Sequence, residues 1–129
     1  MSNTLGQKRS AFALDQVQKV EAKNFDKLVS GLPAMILQNG FGQTLAFLLS
    51  KATKKGSLKK ETSHYHAYMI MASWQKELGR LKKIEPPSDV LKEISGMAQS
   101  DYLEMQVETL ALLEWVKRYA NADLFGRKG

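Results

Sequence analysis

Two pairs of side chains have types and spacings that occur in metal sites, but neither pair is accompanied by the further ligands that such a site needs. Glu104 and Glu108 are four residues apart, so on a helix they lie one turn apart, which is half of a carboxylate-bridged site. No Glu-x-x-His sequence accompanies them. His64 and His66 would project from separate sides of a helix and could share an ion only in a loop, with Glu61 as a third ligand. We therefore expect no metal and no cofactor.

The sequence also lacks residues typical of a catalytic centre. It contains no cysteine, which excludes a disulfide, a thiolate metal site and a cysteine nucleophile. Gly40 and Gly42 lack the spacing and the Lys-Ser/Thr sequence of a phosphate-binding loop. Because no nucleophile–base pair stands out, we expect a protein that is not an enzyme.

The composition favours a cytoplasmic protein. Apolar residues make up 43% of the chain and charged residues 25%, as is usual for soluble domains. The lack of cysteine fits a reducing compartment. The first residues contain no apolar segment typical of a secretory signal. No apolar run approaches the roughly 18 residues that a membrane span needs.

The basic residues are better candidates for chemistry, because they are concentrated in one part of the chain. The net charge is +6, and residues 51–83 contain nine lysines and arginines but only two acidic residues. Residues 84–116 contain one lysine and seven acidic residues. The basic region is expected to attract phosphate groups. Alternatively, the two regions meet in the folded protein and neutralise each other.

Lys51, Lys54 and Lys55 are spaced so that on a helix they share one face, away from the apolar stripe. Lysine is a point charge that suits contacts to phosphate more than the reading of base edges. Trp74 follows in the sequence, but it belongs to a core stripe, so we do not predict that it stacks on bases.

The periodicity predicts an all-α fold, a compact single domain over residues 1–129 with about six helices and no strand. The predicted helices cover about residues 5–24, 26–38, 41–54, 63–83, 88–96 and 100–121. Thr4 and Gln7 form a capping box, and Ser63 is expected to cap the fourth helix. Pro33 predicts a kink or break in the second helix. Residues 124–129 are expected to be a frayed tail.

Asn39-Gly40 is expected to end the second helix and to form a tight corner with the third. The third helix then has an apolar stripe, which predicts packing in the core. The stripe consists of Phe41, Leu45, Leu48, Leu49 and Ala52.

The last helix changes its polar side along its length. Its first half places Asp101, Glu104 and Glu108 on one side, which predicts a solvated acidic face. Its second half is apolar nearly all round. We expect this half either to be enclosed by its own domain or to be covered by a partner.

Two stretches of the sequence are specific enough to indicate a family. They are LPAMILQNGFGQTLAFLLSK (32–51) and ETLALLEWVKRYANA (108–122), and a weaker third is GQKRSAFAL (6–14). In this order they resemble the small α-helical subunit of the type III-B CRISPR–Cas effector, the RAMP-module ribonucleoprotein of antiviral defence. Residues 52–100 match that family only in general character.

The resemblance implies a non-catalytic, RNA-binding small subunit. In such complexes, copies of the small subunit stack in a row along backbone RAMP subunits that hold the guide RNA, and they line the path of the target RNA. They contact a large polymerase/cyclase-like subunit at one end. Base pairing reads the sequence there, so the small subunit need supply only positive charge and shape.

We therefore predict a nucleic-acid-binding surface made mainly of Lys51, Lys54, Lys55, Lys117 and Arg118. Weaker candidates are Lys8, Arg9 and Arg80. Two other functions stay open. One is a free-standing helical DNA-binding domain, although the linker near 55–63 is longer than the turn of a helix-turn-helix. The other is a subunit that bridges proteins without touching nucleic acid.

Overall fold

The apolar periodicities of the sequence correspond to helices in a computed structural model, which describes residues 3–122 and 124–125. Those residues form six α helices and one small antiparallel sheet. In chain order the elements are α1 (Leu5–Lys19), α2 (Phe25–Asn39), α3 (Phe41–Ala52), β1 (Thr53–Lys54), β2 (Ser57–Leu58), α4 (Ser63–Glu77), α5 (Pro87–Gly96) and α6 (Gln99–Asn121). The predicted all-α bundle of about six helices is confirmed.

The longest helix, α6, packs against α1, α2 and α4, while α3 packs against α2, α4 and α5. Leu112, Leu113 and Val116 of α6 are at most 1% exposed. Trp115 and Tyr119 also pack against the core from other sides of the same helix. The apolar second half of α6 is therefore enclosed by its own domain, which is the first of the two explanations expected from the sequence.

The predicted corner between α2 and α3 is present and is held by α6. Gly40 is the only residue between the two helices, and its φ of +91° with ψ of 160° is a conformation essentially restricted to glycine. The N–H of Phe41 donates to Oε1 of Gln106, and the N–H of Gly42 donates to the hydroxyl of Tyr102, both at 2.9 Å. These bonds satisfy donors that the first turn of any helix leaves free.

The predicted core stripe of α3 is confirmed, because all five of its residues are buried. The capping box of α1 is confirmed as well: the backbone N–H of Thr4 donates to the Gln7 side chain, and the N–H of Gln7 donates to the Thr4 hydroxyl. The cap of α4 is one residue earlier than predicted, since the N–H of Tyr65 donates to the hydroxyl of Thr62.

Several predicted helix ends were wrong for identifiable reasons. The first helix ends at Lys19, because Val20 takes an extended conformation in which its side chain is buried. The fourth ends at Glu77, because Gly79 has a φ of +78°. The second helix continues through Pro33, so the expected break is wrong, whereas the expected kink stays a prediction.

The predicted absence of strands was also wrong. Residues 53 and 54 pair with 58 and 57 in an antiparallel hairpin. Its two loop residues, Lys55 and Gly56, have φ of +52° and +75°, as the tight turns that match the twist of a hairpin require. Two-residue strands are too short to produce an alternating pattern that a sequence analysis can detect.

Glu108 does not lie on a solvated acidic face, as the sequence predicted, but is 7% exposed. Its carboxylate accepts hydrogen bonds from Nε and Nη2 of Arg9 at 2.6 and 2.8 Å and from the indole N–H of Trp74 at 2.9 Å. One carboxylate therefore joins α1, α4 and α6. Burial alone would raise the pKa of Glu108, but these hydrogen bonds and the charges of Arg9 and Arg80 outweigh it and hold the pKa below its ordinary value.

The end of the chain is described only in part. Leu124 is exposed, and Phe125 packs against the core, where it lines a small cavity with residues of α1, α2 and α6. Residues 126–129 of the predicted frayed tail lie outside the described residues.

We expect Glu108→Gln to lower the free energy of unfolding by about 2–4 kcal/mol, because a neutral amide leaves the partly buried guanidinium of Arg9 without its counter-charge. Glu114→Gln is the matched control on the same helix. Glu114 is exposed and makes an exposed ion pair with Lys117, so its loss should cost less than about 0.5 kcal/mol. Urea unfolding at pH 7 measures both, and equal effects would contradict the structural role of Glu108.

The difference in unfolding free energy between wild type and Glu108→Gln should also depend on pH. The folded-state pKa of Glu108 lies below the ordinary value of 4.5, so its stabilising effect is complete above that value and is lost as the pH falls through the folded-state pKa. The difference in unfolding free energy between wild type and Glu108→Gln should be constant above about pH 6 and should shrink below about pH 4. A difference that grows in acid would show that the sign is reversed.

We expect Gly40→Ala to lower the free energy of unfolding by about 1–3 kcal/mol, since alanine is strained at this φ and ψ. A Cβ at Gly40 would also lie 2.9 Å from the Tyr102 hydroxyl. Gly42→Ala is the control, because a Cβ there meets its nearest side-chain atoms at an ordinary 3.6 Å. Its thermal midpoint should stay near that of wild type or rise, and a larger loss at 42 than at 40 would contradict this account of the corner.

Candidate nucleic-acid interface

Three of the predicted phosphate-binding lysines lie at one end of the bundle, where the hairpin connects α3 to α4. Lys51 is in the last turn of α3, Lys54 is in β1, and Lys55 is the first loop residue. All three are exposed. Because Lys54 and Lys55 are held by the strand pairing and by the turn, their backbone is fixed although their side chains remain free to move.

These three ammonium groups have no counter-charge within the part of the chain that the structure describes, where none forms an ion pair with a carboxylate. Cations of like sign placed together repel one another, and a bound polyanion relieves that repulsion. We refer to Lys51, Lys54 and Lys55 as the hairpin lysines.

Beside the hairpin lysines lies a small aromatic group that the sequence analysis did not single out. Nζ of Lys51 is 5.8 Å from the centre of the Phe47 ring. The His64 ring lies 6.2 Å from the same ring and meets it edge to face. Both rings are only partly buried. The contact joins the end of α3 to the first turn of α4, and helical spacing alone could not have revealed it.

His64 is expected to be neutral at physiological pH. Partial burial lowers its pKa first, and the positive charge of Lys51 lowers it further. Burial also lowers the pKa of His66, on the same turn of α4. A neutral imidazole keeps one donor and one acceptor for hydrogen bonds.

Two further lysines near the hairpin were not among the predicted binding residues. The backbone N–H of Lys59 donates to the carbonyl of Ala52 at 2.7 Å, which closes the base of the hairpin. Nζ of Lys60 lies 4.0 Å from the Glu85 carboxylate, and both side chains are more than half exposed. So exposed a pair contributes little stability, and Lys60 remains free to exchange partners.

Arg9 and Arg80, which were also predicted to bind nucleic acid, differ from the hairpin lysines because both pair with carboxylates inside the domain. Arg9 makes the two hydrogen bonds to the buried Glu108 carboxylate, so its guanidinium is occupied within the fold. Nη1 of Arg80 donates to Oε2 of Glu104 at 2.8 Å, while its Nε is buried without a partner among the described residues. Neither arginine lies in the hairpin.

The remaining predicted residues lie on other elements. Lys8 is exposed in the first turns of α1, and Lys117 and Arg118 belong to the last turns of α6. Lys117 makes an exposed ion pair with Glu114 at 3.4 Å. The end of α6 lies against α2, where the side chain of Asn121 donates to the Ser30 hydroxyl.

The basic and acidic regions of the chain neutralise each other in part. Three ion pairs join them: Arg80 with Glu104, Lys83 with Asp89, and Lys60 with Glu85. The hairpin lysines take no part in these pairs. The positive charge of their side chains is therefore not neutralised by the acidic region.

The two histidines do not occupy a loop in which they could share a metal ion. Both lie in α4. Within the described ranges, no group of three or more His, Asp or Glu side chains is arranged to hold a metal ion. Likewise, no helix in that part of the chain has the length and apolarity required to cross a membrane.

Comparison with known families agrees with the fold. The family model described as CRISPR-associated protein (Cas_Cmr5) matches residues 5–123. The match begins with α1 and extends beyond α6, so it includes residues 52–100, where the resemblance in the sequence was only general. The chain therefore belongs to the CRISPR-associated Cas_Cmr5 family, the small α-helical subunit of type III-B CRISPR complexes.

Proposed function

We propose that this chain is a non-catalytic small subunit of an RNA-guided, RNA-targeting effector ribonucleoprotein, in which the hairpin end lines the path of the target RNA. Family membership supports a role in a CRISPR–Cas complex with other subunits. The observation that carries the finer proposal is that three exposed lysines lie at the hairpin end without an ion pair among the described residues, Lys54 and Lys55 in the hairpin and Lys51 in the last turn of α3. No metal or cofactor is needed for this function.

The chemistry of the hairpin suits the backbone of RNA. In a guided complex, base pairing supplies the sequence recognition, so a helper subunit contributes charge and shape. Lysine side chains contact phosphates as mobile point charges and do not discriminate between bases. Each such contact releases counterions, so the contribution should be independent of sequence and dependent on salt.

The proposed partners within the complex are backbone subunits that carry the guide RNA, a large polymerase/cyclase-like subunit and further copies of this chain in a row. Exposed apolar side chains support contacts of this kind. Leu37 on α2 and Val107 on α6 are 70% and 66% exposed, and Leu103 is 47% exposed. RNA cleavage is assigned to the backbone subunits.

The other predicted basic residues take different roles in this proposal. Lys8 and Arg118 are exposed cations and Lys117 is a partly exposed one, and all three can form a second contact with nucleic acid. Arg9 instead stabilises the fold through Glu108, and Arg80 is held by Glu104.

We expect the combined variant Lys51→Glu, Lys54→Glu and Lys55→Glu to weaken target-RNA retention by the assembled complex and to leave assembly intact. If each lysine makes one phosphate contact with single-stranded RNA, the slope of log Kd against log salt concentration should fall by about 2. Filter binding over a salt series measures the slope, and native mass spectrometry of the complex checks assembly.

The matched control is Lys76→Glu, Lys82→Glu and Lys92→Glu. These lysines are exposed in the last turn of α4, the loop after it and α5, so the net charge changes equally at a different place. The control should leave retention close to wild type. Unchanged retention in the hairpin variant at moderate salt would overturn the proposal and favour a purely protein-bridging subunit.

A free-standing DNA-binding domain receives no support from the connection between α3 and α4. That connection contains two strands and a turn, whereas a helix-turn-helix joins its helices by three or four residues. We expect the isolated chain at low salt to bind single-stranded RNA at least as well as random duplex DNA in a gel shift. A clear preference for the duplex would favour the DNA-binding alternative.

A further inference from the structure

Phe47 packs against the hydrophobic core but is not enclosed by it. It lies in α3 between Leu45 and Leu48, which are both 0% exposed, yet its own ring is only partly buried. The ring is off the core stripe and is located beside Lys51, one of the hairpin lysines. A partly exposed aromatic ring next to unpaired cations is the combination found in grooves that bind single-stranded nucleic acid.

The two neighbours of this ring are suited to exchange. Lys51 lies over Phe47 at 5.8 Å, and so exposed a cation–π contact is worth only about 0.5–1 kcal/mol. A phosphate would therefore compete well for the Lys51 ammonium group. Movement of that group to a phosphate uncovers the Phe47 ring on the side where the RNA backbone would lie.

His64 adds a second ring from another element. It meets Phe47 edge to face at 6.2 Å, so the two rings form a corner between α3 and α4. Its lowered pKa keeps the imidazole neutral, which allows it to stack on a base or to hydrogen-bond to a base edge without a charge to desolvate.

We infer that Phe47 and His64 form a stacking site for one unpaired base of the RNA whose phosphates contact Lys51, Lys54 and Lys55. The inference rests on the proposed function, because the lysines must bring the RNA backbone to the hairpin. The ligand is any unpaired nucleobase, since every base has an aromatic face. The hairpin end then holds RNA by two separate interactions, one dependent on salt and one not.

The test uses the assembled complex and target RNAs that carry 5-iodouridine at successive single positions. On irradiation, a base stacked on an aromatic ring forms a cross-link that mass spectrometry assigns to a peptide. We expect cross-links to Phe47 or His64 from a restricted set of positions. Cross-links that map only to other residues of this chain, or only to other subunits, would overturn the inference.

Substitutions supply the second measurement. His64→Ala and Phe47→Leu should each lower target affinity about five- to tenfold. This loss is near the lower end of the binding free energy that one base–aromatic stack contributes. The salt slope should stay unchanged, because a neutral ring releases no counterions. His64→Phe should retain most of the affinity, since it keeps a ring in place. An affinity lost equally in His64→Phe and His64→Ala would contradict stacking.

Phe12→Leu is the matched control, because Phe12 is also partly buried but packs on Trp74 at 4.9 Å. It should leave RNA affinity unchanged. If Phe47→Leu unfolds, the two His64 variants still decide the question. A lysine effect without any ring effect would overturn the stacking site alone, whereas the absence of a lysine effect would overturn the proposed function.

Discussion

The buried carboxylate of Glu108 is the interaction on which the arrangement of the bundle depends. A charge at 7% exposure is tolerated only when it is paired and hydrogen-bonded, and Arg9 and Trp74 provide both. Helix α1 itself buries only Ala13 and Val17, with Phe12 packed on Trp74, and the ion pair adds a polar contact to this small apolar surface. Because the carboxylate joins α1 and α4 to α6, it fixes where the first helix lies on the rest of the domain.

Helix α6 also determines the position of the hairpin end. Its Gln106 and Tyr102 side chains accept hydrogen bonds from the first turn of α3. Gly40 makes this approach possible, since any side chain there would meet Tyr102. The far end of α3 carries Lys51 and leads into the hairpin. The orientation of the basic end therefore follows from contacts that Tyr102 and Gln106 of α6 make at the opposite end of α3.

The charges of the chain are distributed by the fold into paired and unpaired groups. Residues from the basic and acidic regions form ion pairs between the segments that flank α4 and the acidic residues that follow, and there the charges cancel. Among the residues that the structure describes, the hairpin lysines form no ion pair with a carboxylate, so their positive charge is available to a polyanion. Family membership identifies the kind of complex in which the chain functions. The unpaired charge indicates which surface of this small domain faces the RNA in the proposed function.

The sequence by itself determined the helical class, the core stripes, the capping box at Thr4 and the corner at Gly40, because each depends on periodicity or on a conformational preference within a few neighbouring residues. It also located the lysines of the basic region, but not their free or paired state. Only the tertiary structure decided that Glu108 is buried while Lys55 is exposed on a hairpin turn, and that Phe47 meets His64. These outcomes depend on contacts between residues that are up to 99 positions apart, and no local pattern specifies which distant side chain will compensate a buried charge.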